Sequence, residues 1–374
     1  MIHGLGSIHG DLRDRGIFRR NHLAALERGQ VKILATHPRQ WAESKLQKDL
    51  GVEVRHASLG GELPKRLDGS VSFDGIGDVA TEAGLLGFLD EVKTFQPDVL
   101  LFGIHFNFPR EILIRARKLA PNMKCLMHYT DQRDSVSSQV RQYQGLLDML
   151  LVTNADTADH ARYRNFGSVQ VRAFYDGVDT REYRPKAIVP EFDCYFGGND
   201  FYGLDAELQR KHQDPSTMLA KFPGAFFRQE FLGLVNDRFR LVIRGQWGWD
   251  KSRFNVKQAL FCPREVDGML EARIILSTFN VKRHGLITRR MLRSLASGRL
   301  FLTEHCPGME EHFRNHEHLV WFERPEEGLD LIRYYLEHPA ERDRIASAGR
   351  AFVAKRHSFD CRLRDFVNIV REVF

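Results

Sequence analysis

Short, uniformly apolar segments recur along this 374-residue chain, and most are followed by a stretch with helical spacing. Val31 to Ala35, Val99 to Phe102, Lys124 to His128 and Met149 to Thr153 read this way in the first half. Cys194 to Phe196, Arg240 to Ile243, Ala272 to Leu276, Leu300 to Thr303 and Leu319 to Phe322 repeat the pattern in the second. Strands without polar alternation are buried on both faces, a condition met by a parallel sheet covered by helices on each side. The chain therefore reads as α/β. At about 150 residues per domain, its length suits two. The turn-rich, charged stretch from Tyr175 to Pro185 is the best linker, which sets a first domain at residues 1–184, a second at 185–355 and a closing segment at 356–374. Two such sheets facing each other would leave a cleft at the carboxyl ends of their strands, where ligands bind in folds of this kind.

Between the strands, helices are expected over Phe18 to Arg28, Arg39 to Leu50, Thr81 to Phe95 and Pro109 to Ala120, and from a cap at Asn154 or Asp156 to Phe166. Further helices are expected over Phe222 to Val235, Pro263 to Leu270, Leu286 to Ala296, Pro325 to Leu336, Pro339 to Arg356 and Asp360 to Phe374. Residues 58–79 read as loop. Stretches such as Val99 to Gly103 fall far short of the roughly 20 apolar residues a membrane span needs. Asp11 to Arg20 is dense in charge, unlike a signal peptide. Five cysteines, at 125, 194, 262, 306 and 361, form no close pair, so a reducing cytoplasm is expected. The net charge of +6 points to an anionic partner: nucleic acid, a nucleotide diphosphate or an anionic lipid surface.

Four stretches could carry chemistry. In the loop Gly4-Leu-Gly6-Ser-Ile-His9-Gly10, glycines would let backbone approach a phosphate or sugar. Only Met1 to His3 precedes that loop, and its GxGxxxG spacing differs from a dinucleotide fingerprint. Arg13, Arg15, Arg19 and Arg20 follow it. His105 lies just past a buried strand, where an imidazole can serve as acid or base. Asp131 ends another strand and offers a carboxylate. The densest stretch is Lys282-Arg-His284-Gly285-Leu-Ile-Thr288-Arg289-Arg290: residues 281–300 hold six Lys or Arg and no acid. A helix N-terminus behind a glycine attracts an anion, and Arg289 and Arg290 would add bidentate phosphate donors. Arg228 and Arg244, with Trp247, could join that site. His312, His316 and His318 lack an acidic ligand pattern, so no metal site is assigned.

The stretches Glu271-Ala-Arg-Ile-Ile-Leu-Ser-Thr278, Gly285 to Gly298, Leu302-Thr-Glu304, Met309 to Phe313, His318 to Phe322, Tyr334 to Pro339, Glu341 to Gly349 and His357-Ser358 together resemble the GT-B glycosyltransferases. The likeness is to the CgeB-like, group 1 type. Thr130-Asp131 resembles the family's acidic residue after its fifth strand, and Asp176-Gly-Val-Asp179 through Pro185 its interdomain linker. One departure concerns charge: Arg293 stands where the family carries a glutamate that holds the donor. An unusual donor, a substitute such as Glu304, or loss of transfer would each account for it.

The resemblance implies two Rossmann-like domains, acceptor then donor, with a closing helix that crosses back to the first. It implies glycosyl transfer from a nucleotide diphosphate sugar to a hydroxyl of a glycan, lipopolysaccharide or protein. That transfer would be metal-independent, with the nucleotide sugar as co-substrate and no cofactor, and retention is favoured. His284, Gly285, Arg289, Arg290, Arg244, Arg228 and Glu304 would form the donor site. Asp131 and His105 would act on the acceptor, and Gly4, Gly6, His9 and Gly10 would line its side. DNA bearing hydroxymethylated bases is the alternative acceptor, peripheral membrane contact stays open, and a non-catalytic sugar-nucleotide binder is the alternative class.

Overall fold

The computed structural model describes residues 30–36, 39–59, 81–103, 109–130, 136, 138–167, 170–201, 203, 222–260 and 264–373. Twelve strands among them build two six-stranded sheets. The first sheet comprises β1 (Val31–Ala35), β2 (Val52–His56), β3 (Val99–Gly103), β4 (Lys124–Tyr129), β5 (Met149–Val152) and β6 (Val171–Ala173), in the order β2-β1-β3-β4-β5-β6. The second comprises β7 (Phe192–Gly197), β8 (Leu241–Arg244), β9 (Val256–Lys257), β10 (Ala272–Ser277), β11 (Leu300–Glu304) and β12 (Val320–Phe322), ordered β12-β11-β10-β7-β8-β9. Every neighbouring pair in the second sheet is parallel. The helices used below are α1 (Glu82–Phe95), α2 (Arg110–Leu119), α3 (Thr157–Asn165), α4 (Ala225–Asn236), α5 (Glu265–Leu270), α6 (Arg289–Ala296), α7 (Pro325–Glu337), α8 (Pro339–Arg356) and α9 (Phe359–Val373).

The chain divides into two compact units. One contains residues through Met127, Leu146–Asp148 and Leu363–Phe374; the other contains His128–Gly145 and Met149–Arg362. In the first unit, the Phe366 ring of α9 lies 5.1 Å from that of Trp41, and Arg371 donates to the Leu50 carbonyl. The closing helix thus returns to the first unit, as the resemblance implies. The second unit buries both faces of its sheet. Cys194, Phe196, Ile243, Ile274, Leu276 and Leu302 pack on one side, and Tyr195, Val242, Ile275 and Phe301 on the other. Strand alternation sends successive residues to opposite faces, so a run apolar throughout requires cover on both. Each fully buried Ile, Leu or Phe contributes roughly 1.5–3 kcal/mol.

Two expected helices differ in the structure. Arg39 to Leu50 forms two single 3-10 turns, Arg39–Trp41 and Lys45–Gln47. Side chains compete for the backbone there: Ser44 accepts from the Leu46 N–H, and Gln47 donates to the Trp41 and Ala42 carbonyls while accepting from Val54. The helix expected from Leu286 begins at Arg289 instead. Thr288 is extended (φ −90°, ψ 153°), and its hydroxyl accepts the Met291 N–H, an N-cap that fixes the start. Strands β6 and β9 are three and two residues long and lack an apolar run the sequence could announce.

Gly349 of α8 shows how closely helix and sheet approach. A Cβ there would lie 2.0 Å from the His318 carbonyl oxygen and 2.9 Å from a Leu295 methyl. Backbone cannot yield as a side chain can, so Gly349→Ala is expected to lower stability by about 3 kcal/mol. Urea unfolding checks this; an unchanged midpoint would show that the contact relaxes freely.

Candidate functional site

The carboxyl ends of β7, β10 and β11 converge on the start of α6, all within the second unit. Leaving β7, the chain turns through Gly197, Gly198 and Asn199. The Gly198 carbonyl accepts from the Trp249 indole at 2.8 Å, and Asn199 Oδ1 from the Gln246 N–H at 3.0 Å. Under this turn runs Arg228 of α4, which is 1% exposed. Its guanidinium donates to the Asn199 carbonyl (2.9 Å), the Thr278 hydroxyl (2.9 Å) and the Thr278 carbonyl (3.4 Å), joining the ends of β7 and β10.

Arg290 enters from α6. Its Nη2 sits 3.0 Å from where a Cβ on Gly198 would be, so this glycine leaves the room it occupies. The Arg228 and Arg290 guanidinium carbons lie 5.3 and 5.5 Å from the centroid of one ring, Phe196. Burial pulls the Arg228 pKa down to about 9, and the charge of Arg290 adds to the fall. Burial also lowers Arg290. Among the described residues, no carboxylate pairs with Arg290 and no acceptor receives its guanidinium hydrogens. The Phe196 π face offsets only part of bringing two like charges together out of water, about 1–2 kcal/mol each. The charges of Asp200 and Glu304 oppose the fall at Arg228, and that of Glu265 the fall at Arg290; an anion between the two guanidiniums would complement them further. The helix start adds first-turn amides outside the intrahelical ladder and the positive end of the dipole.

Glu304 closes the far side. Almost fully buried, it accepts the Phe279 N–H at 3.0 Å and pairs with Lys282 Nζ at 2.6 Å. It therefore fixes the loop after β10 and holds a lysine at the rim. The next loop is anchored to the end of β5. Ala155 N–H donates to the His284 carbonyl at 2.9 Å, Ile287 N–H to the Thr153 carbonyl at 3.1 Å, and buried Asp159 faces Arg283 Nε at 3.7 Å. Gly285 holds φ at +65° and donates to the Pro307 carbonyl at 2.7 Å, a left-handed turn that favours glycine. His284 is exposed and meets Glu311 at 2.8 Å.

Of the expected donor residues, Arg228, Arg290 and Glu304 come together, with His284 and Gly285 on the adjoining loop. Arg289 turns aside to pair with buried Asp176 at 3.1 Å. Arg244 is tied to Glu271 and the Gln258 carbonyl. Asp131, His105, Gly4, Gly6, His9 and Gly10 lie outside the described residues, as do Arg13, Arg15, Arg19 and Arg20. The three histidines disperse: His312 bonds the Tyr175 hydroxyl, His316 that of Tyr335, and His318 stacks on Phe352. Among the described residues, no group of three His, Cys, Asp or Glu side chains could hold a metal ion. Sequence reasoning missed Phe196, Asn199 and Thr278, while Lys282 belonged to the basic stretch it singled out. The signal for the first two was the glycine pair closing β7; Thr278 carried none.

Residues 228–368 match the model of the glycosyl transferase-like family. No curated protein matches the chain by sequence. Solved structures match it over nearly its whole length. One is an α-glucosyltransferase in complex with UDP and a 13-mer DNA containing an HMU base, with TM-score 0.55, 12% identity, and 91% of this chain and 99% of that one covered. A glycosyltransferase from Rickettsia africae gives TM-score 0.51, 16% identity, and 92% and 98% coverage. Anabaena HepE in complex with UDP-glucose gives 0.51, 10%, and 91% and 99%. At these identities the structural likeness establishes the fold, which is GT-B. The family match is confined to residues 228–368, nearly all of which lie in the second unit.

Proposed function

We propose that this enzyme moves a sugar from a nucleoside diphosphate sugar to a hydroxyl of a glycan, lipopolysaccharide or protein. The observation that carries the reading is the pair of guanidiniums on Phe196, Arg228 buried and Arg290 partly exposed at the start of α6, with no carboxylate among the described residues paired to Arg290. The donor diphosphate supplies the missing charge. As the glycosidic bond breaks, negative charge grows on the departing phosphate oxygen, and the pre-placed guanidinium and helix amides stabilise it. These groups do the electrostatic work a divalent cation does elsewhere, so transfer is metal-independent. HepE, in complex with UDP-glucose, supports UDP as the nucleotide. Asp131 and His105 are proposed to orient or deprotonate the acceptor, and the resemblance supports retention. Among the described residues, no helix is long and apolar enough to cross a membrane; a cytoplasmic site rests on cysteine usage.

Purified protein incubated with UDP-, GDP-, CMP- and TDP-sugars, with and without EDTA, tests the reading. Nucleotide release from one diphosphate donor, unaffected by EDTA, is expected. Binding without turnover for every donor would leave a non-catalytic binder, and full inhibition by EDTA would end the metal-independent mechanism. The second reading, a DNA acceptor, is supported by the α-glucosyltransferase in complex with DNA. Salt-sensitive binding to duplex DNA would favour it, and no binding at low salt would remove it.

A further inference from the structure

Arg290 and Arg293 stand three residues apart on α6, so their side chains are neighbours on the helix surface. Glu265, the first residue of α5, approaches the same face. Its Oε2 accepts from Arg293 Nη1 at 2.7 Å and from the Tyr183 hydroxyl at 2.7 Å. The Arg293 guanidinium carbon also lies 5.2 Å from the Tyr183 ring centroid. The ion pair is mostly buried, with side-chain exposures of 26% for Arg293 and 21% for Glu265. Glu265 is also the carboxylate whose charge acts on Arg290. Without its two donors, Glu265 would have an unpaired guanidinium beside it.

We propose that Arg293 and Tyr183 hold the Glu265 carboxylate off Arg290, which keeps the Arg290 guanidinium open to a phosphate. Arg293 is then a positioning residue. It touches no substrate, and its charge protects the anion site from the enzyme's own nearest acid. An acid at 293 beside Glu265 would instead place two carboxylates next to Arg290. The identity of the ligand rests on the function proposed above; the electrostatics do not.

The test compares Arg293→Gln, Glu265→Gln, the double variant and Tyr183→Phe. Binding of UDP and of inorganic pyrophosphate is measured by calorimetry, and donor KM and kcat by nucleotide release. Arg293→Gln should weaken both ligands about tenfold, a scale set by one partly buried ion pair, and raise KM more than it lowers kcat. Glu265→Gln should bind at least as tightly as wild type, and the double variant should recover that affinity. Wild-type binding by Arg293→Gln, or a double variant as weak as Arg293→Gln, would overturn the proposal. Tyr183→Phe, which keeps the ion pair, should give a smaller loss in the same direction and serves if Arg293→Gln does not fold. A crystal structure of Arg293→Gln should show Glu265 within 4 Å of Arg290; Glu265 staying in place would equally overturn it. Wild-type protein that binds pyrophosphate but no nucleotide would refute the proposed function alone.

Discussion

Replacing Arg290 by methionine should slow glycosyl transfer by about 10²–10³-fold, the usual cost of losing one pre-placed donor to a developing oxyanion. The fold should not suffer. Arg290 pairs with no carboxylate among the described residues, and its guanidinium shares the Phe196 ring with that of Arg228. Methionine keeps much of the apolar stem and removes a repulsion. Unfolding free energy should therefore stay level or rise while activity falls, a combination expected of a ligand-binding charge and not of a structural one. Arg228→Met should behave differently. Arg228 ties Asn199 to Thr278 through three hydrogen bonds, so its loss should reduce stability and activity together. Donor kinetics and urea unfolding on both variants separate the cases. Activity of Arg290→Met within threefold of wild type would remove Arg290 from the mechanism.

How far the sequence reveals this site depends on the kind of interaction involved. Local signals were readable. The second-sheet strands stood out because parallel strands buried on both faces are apolar at every position, and the basic run from Lys282 to Arg290 stood out because it contains no acid. The direction each arginine takes was not readable. Arg289, Arg290 and Arg293 occupy one helix within five residues, yet they face Asp176, the Phe196 ring and Glu265. Their partners lie 113 and 28 residues away, and no local pattern encodes that choice. Thr288 fixes only where the helix begins, at 289 and not near 286. The same limit applies to Arg244, whose position after a strand suggested a ligand role, although Glu271, 27 residues on, holds it.

A second large effect is expected at His357, through pH. Its imidazole is 5% exposed and lies against Phe313 and Phe352. Nδ1 has no hydrogen-bond partner among the described residues. The charged groups around it are all cationic: Arg362 on α9, Arg356 at the end of α8 and, when protonated, His312 in the loop after β11. Burial first, and these charges next, push its pKa down to about 3. The folded protein therefore keeps His357 neutral, whereas the unfolded chain takes up a proton near pH 6.5. Between those values the unfolded state binds the extra proton, so stability is complete above about pH 6.5 and falls as the pH drops toward 3. The loss approaches about 1.4 kcal/mol per pH unit and reaches about 3 kcal/mol by pH 4. His357→Phe keeps an aromatic ring between Phe313 and Phe352, removes the proton site and disposes of the orphaned nitrogen. Carboxylates that also titrate in this range act equally on both proteins, so the difference between the two stability curves isolates His357. Urea unfolding at pH 4, 5, 6, 7 and 8 should give curves that run together above pH 7 and diverge below 6, with wild type the less stable. Parallel curves across the whole range would show that His357 takes up its proton in the folded state as readily as in the unfolded chain.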